Sequence, residues 1–431
     1  MASESILQIN EGFTIDNSIK SYEYYSFQPI SGTQLNSAGQ ITIRVENQDA
    51  FFHPRKSWLQ VEGKLVKTAG GGTVYADTDM VALTNNGIMH LFDNIKYELS
   101  GQEIESVYHP GQATTILGLA KYSTNFNQGP GLNQCWSLDT QTNSADTNTG
   151  FKKRHDYIIE ESTPKGGFRF AIDLEHIFAF CEDYDKVLYG FNHALTLVRT
   201  SNDNNAIFRS STAGAGKVVI EKISWMLPRV DPSDEQKYQL YKSIEKKEVL
   251  SVGFRMRQCI TVSVPKTPTF TWRLGVRAAP EKPRYIMIGF QTDKSNDQEK
   301  NAALFDHCKV QNMYVLLNNN RYPAIDFNAN FTKNEYDNFY RSLSEFSQKY
   351  YGLDPLVSNI AIDPMAYKDL YPIFVFDVSK QSERLQQGVV DITVEMSFAA
   401  NVDDKTFAYA LLISDRKLKF QSDGKKMSVI F

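Results

Sequence analysis

The chain has 431 residues, which at roughly 100–200 residues per domain leaves room for two to four domains. Hydrophobic residues make up 42% and charged residues 22%, the balance of a globular chain, which excludes a disordered tail and a collagen-like rod. Forty-six Lys and Arg stand against 50 Asp and Glu, a formal net charge of −4, so the overall charge draws the chain neither to nucleic acid nor to anionic lipid.

The unusual quantity is aromatic, 22 Tyr, 27 Phe and 4 Trp, and such side chains favour pleated, half-buried surfaces. The start, MASESILQINEGF, lacks the basic and apolar regions of a signal peptide. No apolar run approaches the ~18 residues of a membrane span. Both features predict synthesis and folding in the cell interior. Ile6, Ile9, Phe13 and Ile15 make residues 1–40 a candidate terminal arm. Alternating strands are then predicted at 41–45 and 58–66, with Gly70-Gly71-Gly72 as a hairpin tip. Ile95–Ile104 reads as strand, polar turn and restart, with a short helix after Pro110. Residues 123–150 are rich in Asn, Thr, Gln and Gly with little periodicity, and a loop of that length is usually functional or disordered.

Strands resume at 168–172 and 194–198, before Arg199–Gly216, which has the composition of a linker at mid-chain. Lys217–Ile223 is the next strand, and Ser233-Asp-Glu-Gln236 is a capping box opening a helix to about Lys247, with Leu240, Tyr241 and Ile244 inward. Further strands fall at 259–264, 269–276, 284–291 and 313–317. A second capping box, Thr332-Lys-Asn-Glu335, precedes Tyr336, Phe339, Tyr340, Leu343, Phe346 and Tyr350, an aromatic stripe suited to packing a helix on a sheet, with Gly352 as its stop. The last strands are 373–378, 389–398 and 406–413. Many short strands with so few helices predict antiparallel sandwiches and exclude a parallel α/β sheet.

The halves echo each other. Ile95–Ile104 matches Met313–Tyr322, Phe170–Leu174 matches Phe374–Val378, and 194–198 matches 392–396. This predicts one sandwich written twice, with a first domain over 1–205 and a second over 206–431.

Chemistry is sparse. The seven histidines (His53, His90, His109, His155, His176, His193, His307) show no helical metal spacing, and Cys135, Cys181, Cys259 and Cys308 form no CxxC pair. No nucleotide-binding or hydrolase motif is present. The nearest acidic clusters are Asp173 with Glu175, expected on one face of a strand, and Glu182, Asp183 and Asp185. Outer-face charges explain them as well as catalysis does. Lys152-Lys153-Arg154-His155 and the terminal Lys417, Lys419, Lys425 and Lys426 are too few for backbone-driven nucleic-acid binding. No catalytic residue, cofactor or metal ligand is predicted. A two-sandwich carbohydrate-active or carbohydrate-binding protein is the competing reading.

Specific strings add a resemblance. Glu221-Lys-Ile-Ser-Trp-Met-Leu-Pro-Arg-Val230 resembles the opening of the second jelly roll in double-jelly-roll major capsid proteins, most closely the Polinton (Maverick), adintovirus and Polinton-like virus group. Leu91–Leu99, Trp272–Val276 leading to Pro283–Gln291, and Asn318–Tyr322 with its aromatic helix resemble the same group. The resemblance implies two eight-stranded jelly rolls, homotrimers with a pseudo-hexagonal outline, and a place in the icosahedral shell of a double-stranded DNA virion. It further implies contacts with neighbouring capsomers and with a penton or minor capsid protein, and neither catalysis nor sequence-specific DNA binding.

Overall fold

A computed structural model describes residues 17–46, 48–274, 282–354, 360–385, 388–422 and 427–430. The first eight principal strands are β1 (Ile19–Phe27), β2 (Gly39–Val45), β3 (Trp58–Lys67), β4 (Phe92–Leu99), β5 (Gln102–Tyr108), β6 (Gly167–Asp173), β7 (His193–Arg199) and β8 (Gly216–Pro232). They form two antiparallel sheets, ordered β1-β8-β3-β6 and β2-β7-β4-β5. The next eight are β9 (Leu250–Ser263), β10 (Thr269–Leu274), β11 (Lys282–Thr292), β12 (Val310–Leu317), β13 (Asn320–Tyr322), β14 (Phe374–Asp377), β15 (Ile392–Phe398) and β16 (Thr406–Ser422). Their sheets run β9-β16-β11-β14 and β10-β15-β12-β13. Each strand of the second set holds the place of the strand eight earlier. The fold is all-β: the jelly-roll order, twice.

The echoes seen in sequence fall on equivalent strands. Both the β4–β5 and β12–β13 hairpins turn through two residues of positive φ, Ser100-Gly101 (48° and 80°) and Asn318-Asn319 (47° and 71°). That is the tight turn whose twist matches the flanking strands, and it favours Gly and Asn. Phe170 and Phe374 lie on β6 and β14, and the later pair on β7 and β15. Buried and half-buried residues alternate along all of β15 and along β3 as far as Leu65, which shows one face turned to the core.

Three expectations are corrected. The sheet pairing places residues 216–232 in the first roll, because β8 pairs with both β1 and β3. The change of roll therefore follows Pro232 rather than residue 205, and Glu221–Val230 closes the first roll instead of opening the second. Arg199–Gly216 is no linker: Ile207–Arg209 pairs with Val81–Leu83. Finally, residues 19–27, expected within a terminal arm, form the edge strand β1; Ile6, Ile9, Phe13 and Ile15 lie outside the described residues.

Among the helices that pack against these sheets or join them are α1 (Pro110–Lys121), α2 (Leu174–Ile177), α3 (Ala179–Asp183), α4 (Asp234–Glu245), α5 (Asp337–Ser344) and α6 (Phe346–Tyr351). Ser233 caps α4 as predicted, its hydroxyl accepting the Gln236 N–H at 3.4 Å. The box at Thr332 does not form; Asn330 caps a single turn there, and the aromatic helix breaks at Glu345 into α5 and α6, stopping at Gly352 with φ 67°. Its aromatic stripe packs on the sheet, with Phe339 edge-on to Phe374 and Phe346 edge-on to Tyr285.

Candidate functional site: the seam between the two rolls

The dense polar chemistry lies where the rolls meet. α1 is buried on every side from Pro110 to Ala120, including the polar Gln112, Thr114 and Thr115, as a helix wedged between layers is. It packs on β9, β11, β16 and α6 of the second roll. Trp136 lies where a Cβ on Gly118 would stand, 2.5 Å away, so only glycine fits there.

Beside α1 lies a buried charge network. Glu105 on β5 is fully buried, and its two carboxylate oxygens accept the N–H of Arg257 on β9 and the N–H of Phe180 on α3, each at 2.9 Å. Burial pushes its carboxyl up to about 7, against the pull of Arg257. The Arg257 side chain pairs with Glu182 and also donates to the carbonyls of Glu175 (3.3 Å) and His176 (3.1 Å). Glu182 further takes Lys121 at 2.5 Å and the Tyr351 hydroxyl at 2.8 Å. Burial alone would raise its carboxyl, but Arg257 and Lys121 outweigh burial and hold it at about 2. Next to it, Asp183 accepts the Arg255 N–H at 2.8 Å and pairs with its guanidinium, which lies 3.8 Å from the Tyr350 ring centre.

Two more clusters tie the rolls together. Asp139 accepts from Arg154 (2.8 Å) in its own roll and from Asn301 (2.9 Å) in the other, while the Tyr371 hydroxyl donates to the Asp139 carbonyl at 2.9 Å. Gln298 exchanges a pair of 2.8 Å hydrogen bonds with the Gly216 backbone. A buried ion pair gains little net stability, because desolvation offsets attraction, but losing one partner leaves a charge stranded. Any relative orientation of the two rolls that breaks such a network strands one of its buried charges.

A family model described as "Double jelly roll-like domain" matches residues 81–418. The chain belongs to the double jelly roll-like family. Its fold is also that of solved viral structures. The Sputnik virophage structure aligns with TM-score 0.60 at 12% identity, covering 99% of this chain and 92% of that one. The PBCV-1 virus capsid aligns with TM-score 0.55 at 11% identity, over 98% and 100%. The mavirus major capsid protein aligns with TM-score 0.55 at 12% identity, over 98% and 92%. At such identity the likeness is one of fold. No curated protein matches by sequence.

In this double jelly roll the residues singled out in sequence take structural places. Glu182 and Asp183 belong to the seam, and Asp185 pairs with His53 at 2.7 Å. Asp173 and Glu175 do not share a strand face: Asp173 ends β6 and Glu175 lies in α2, against Arg55 at 3.4 Å. Two groups bring three potential metal-ligand atoms within 4.8 Å, His155–Asp156–Glu160 and Asp173–Glu175–His176. In the first, Lys152 already bridges Asp156 and Glu160, and in the second His176 is bonded to Gln134 at 2.8 Å. The run 152–155 is not a basic patch either, since Arg154 and His155 are fully buried. Burial lowers His90 to about 4 and His176 and His193 to about 3, the behaviour of neutral core histidines. All four cysteines are free, three of them buried. The stretch 123–150 carries Cys135, Trp136 and Asp139 into the interior.

The seam residues Glu105, Arg255, Arg257, Asp139 and Asn301 escape sequence reading. A signal for two of them is present: Arg255 and Arg257 alternate with Phe254 and Met256 and are the charged residues of that strand.

Proposed function

We propose that the chain is a major capsid protein of a double-stranded DNA virus or virus-like element, of the Polinton-like kind its sequence resembles. On this reading it forms homotrimeric, pseudo-hexagonal capsomers that tile an icosahedral shell, next to one another and to a penton or minor capsid protein. Its work is assembly, without catalysis or a cofactor. No helix among the described residues is long and apolar enough to cross a membrane.

The direction of the seam carries this reading. The α1–β5 side of the first roll covers the β9–β16 face of the second, a head-to-tail contact between like units. Each roll owns a copy of both faces, so one of each is left over. The spare face of the first roll is β1–β8, where Ile19, Tyr22, Tyr24 and Tyr25 are exposed. The spare side of the second roll is α5–β13, where Arg341 and Asn320 are exposed. Head-to-tail contacts close into rings when the rotation allows. If contacts between chains copy the contact within the chain, the rolls alternate around a ring, and three chains supply six.

Native mass measurement with negative-stain imaging tests this. A species of three times 49.0 kDa with a hexagonal outline, or closed shells, is expected. A stable 49.0 kDa monomer at micromolar concentration, or glycan cleavage by the purified chain, overturns it.

A further inference from the structure

The helix Thr149–His155 ends by widening into a single π-turn over Asp156–Glu160. The Glu161 N–H donates to the Asp156 carbonyl at 2.9 Å, five residues back. In an α-helix, residues five apart stand roughly 140° apart around the axis. The wider turn brings them back towards one face, and such turns are rare and frequent at functional sites. Here it gathers a cluster: ligand atoms of His155, Asp156 and Glu160 all lie within 4.8 Å of one another. The histidine nitrogen facing the cluster is an orphan. The ring is fully buried, stacked against Phe151, and its Nδ1 bonds the Val81 carbonyl at 2.8 Å. A carbonyl can only accept, so Nδ1 carries the proton, and Nε2 of the neutral ring keeps its lone pair. Among the described residues Nε2 has no hydrogen-bond partner; it stands 3.8 Å from Glu160 Oε1. Lys152 bridges the two carboxylates, at 2.5 Å from Asp156 and 2.9 Å from Glu160, and leaves Nε2 unserved.

We propose that His155 Nε2, Asp156 and Glu160 form a binding site for a divalent first-row metal ion, Zn²⁺ by its donor set. One imidazole nitrogen with two carboxylates suits Zn²⁺, whereas Mg²⁺ and Ca²⁺ take oxygen alone. The ring is prepared as metal-binding rings are, with its far N–H held by a carbonyl. Zn²⁺ bonds of roughly 2.1 Å set tetrahedral donors about 3.4 Å apart, close to the 3.8 Å between Nε2 and Glu160. Lys152 marks the place as one that attracts a cation, and it is cheaply displaced, because half-exposed ion pairs are weak. Asp146, 4.0 Å from its ammonium, offers it another partner. Asp156 and Glu160 reach solvent, which gives the ion an entry path and leaves a position for water. The ion acts as a staple rather than a reagent. It ties the π-turn, through His155, to the strand Val81–Leu83, next to Arg154, which reaches Asp139 at the seam. The site lies within one roll and stands whether or not chains assemble.

Calorimetric titration of the full chain with Zn²⁺ tests it. One ion per chain should bind, and Asp156→Asn or Glu160→Gln should weaken that site about tenfold or more. Lys152→Met removes the competing ammonium and should tighten the site about threefold or more. About a hundredfold excess of Mg²⁺ should leave Zn²⁺ in place. His155 is buried and replacing it endangers the fold, so pulsed electron paramagnetic resonance of the Cu²⁺-loaded chain reads the ring directly. It should show one coordinated imidazole, lost in Glu160→Gln. Absence of Zn²⁺ binding, or equal affinity in the native chain and Glu160→Gln, overturns the proposal. So does displacement by Mg²⁺, or an imidazole signal unchanged in Glu160→Gln. A site lost in Glu175→Gln instead would place the ion at the Asp173–Glu175–His176 group and overturn it too.

Discussion

β1 and β9 hold the same place in the two rolls, and their surroundings could hardly differ more. β1 exposes Ile19 at 51% and Tyr24 at 45%, whereas β9 is buried on both faces from Met256 to Cys259. Their sheet neighbours repeat the contrast: β16 is buried from Ala408 to Ser414, while β8 alternates. Sequence follows the cover. The strand with a layer on each side reads AYALLIS, and the strand with an open face reads IKSYEYYSF. Strand order is therefore common to the two copies, and what distinguishes them is the neighbour each has acquired. β9 acquired the first roll of its own chain; on the capsid reading β1 waits for another chain.

If that contrast is real, breaking the seam should be costly in a way that no change on β1 is. Arg257→Ala and Glu182→Ala each strand a buried partner, and each should cost about 3–5 kcal/mol in urea unfolding. A loss below about 1 kcal/mol would mean that the network does not fix the two rolls.

The seam should also respond to pH. Glu105 has a folded-state value of about 7 against an ordinary 4.5, so between those values the folded state keeps a proton that the unfolded state releases. Stability from this group is present at low pH and falls as pH rises through that window. Glu182, held at about 2, works the other way: its contribution is present above 4.5 and is lost as pH falls. The buried histidines also lose stability on acidification, below about 6.5. The quantity to read is therefore the difference between the native chain and Glu105→Gln. The native chain should lose on the order of 1–3 kcal/mol relative to the variant between pH 4.5 and 7. Parallel pH profiles would show that Glu105 keeps its charge throughout.

The unequal cover also explains what can be read from sequence. Strands with one buried face, such as β3, β7 and β15, announce themselves by alternation, and the duplication is visible because paired hairpins need the same turn chemistry twice. β1 is hard to see because its outer face is open and its tyrosines break the alternation. The boundary is misleading because the glycine-, serine- and asparagine-rich stretch 199–216 composes like a linker, although Gln298 of the other roll pins it at Gly216. The seam is illegible for a deeper reason: Glu105 and Arg257 are 152 positions apart, and nothing local marks a charge that will be buried against a distant partner.

A smaller effect tests whether the stretch 123–150 belongs to the seam. Asn301→Ala removes a 2.9 Å hydrogen bond from Asp139 but leaves its ion pair with Arg154, so the cost should be about 1 kcal/mol. Exchange protection should fall together at 135–139 and at 371, since Tyr371 donates to the same residue. Loss at only one of these sites would uncouple the two rolls there.

The smallest effect on folding should come from β1 itself. Tyr22 and Tyr24 meet edge-on at 5.8 Å, Tyr24 leans on Trp58 at 4.7 Å, and Tyr25 lies under Arg229 at 5.9 Å. These surface contacts amount to about 1 kcal/mol or less, so replacing all three tyrosines with serine should barely move the urea midpoint. Association is where the change should register. A face that mimics β9–β16 but lacks its cover should lose its partner when its aromatic rings go, turning a threefold species into monomers at equal concentration. Should the triple-serine chain still assemble with the native mass, β1 is merely an exposed strand, and the covered face of the second roll would be no guide to how chains meet.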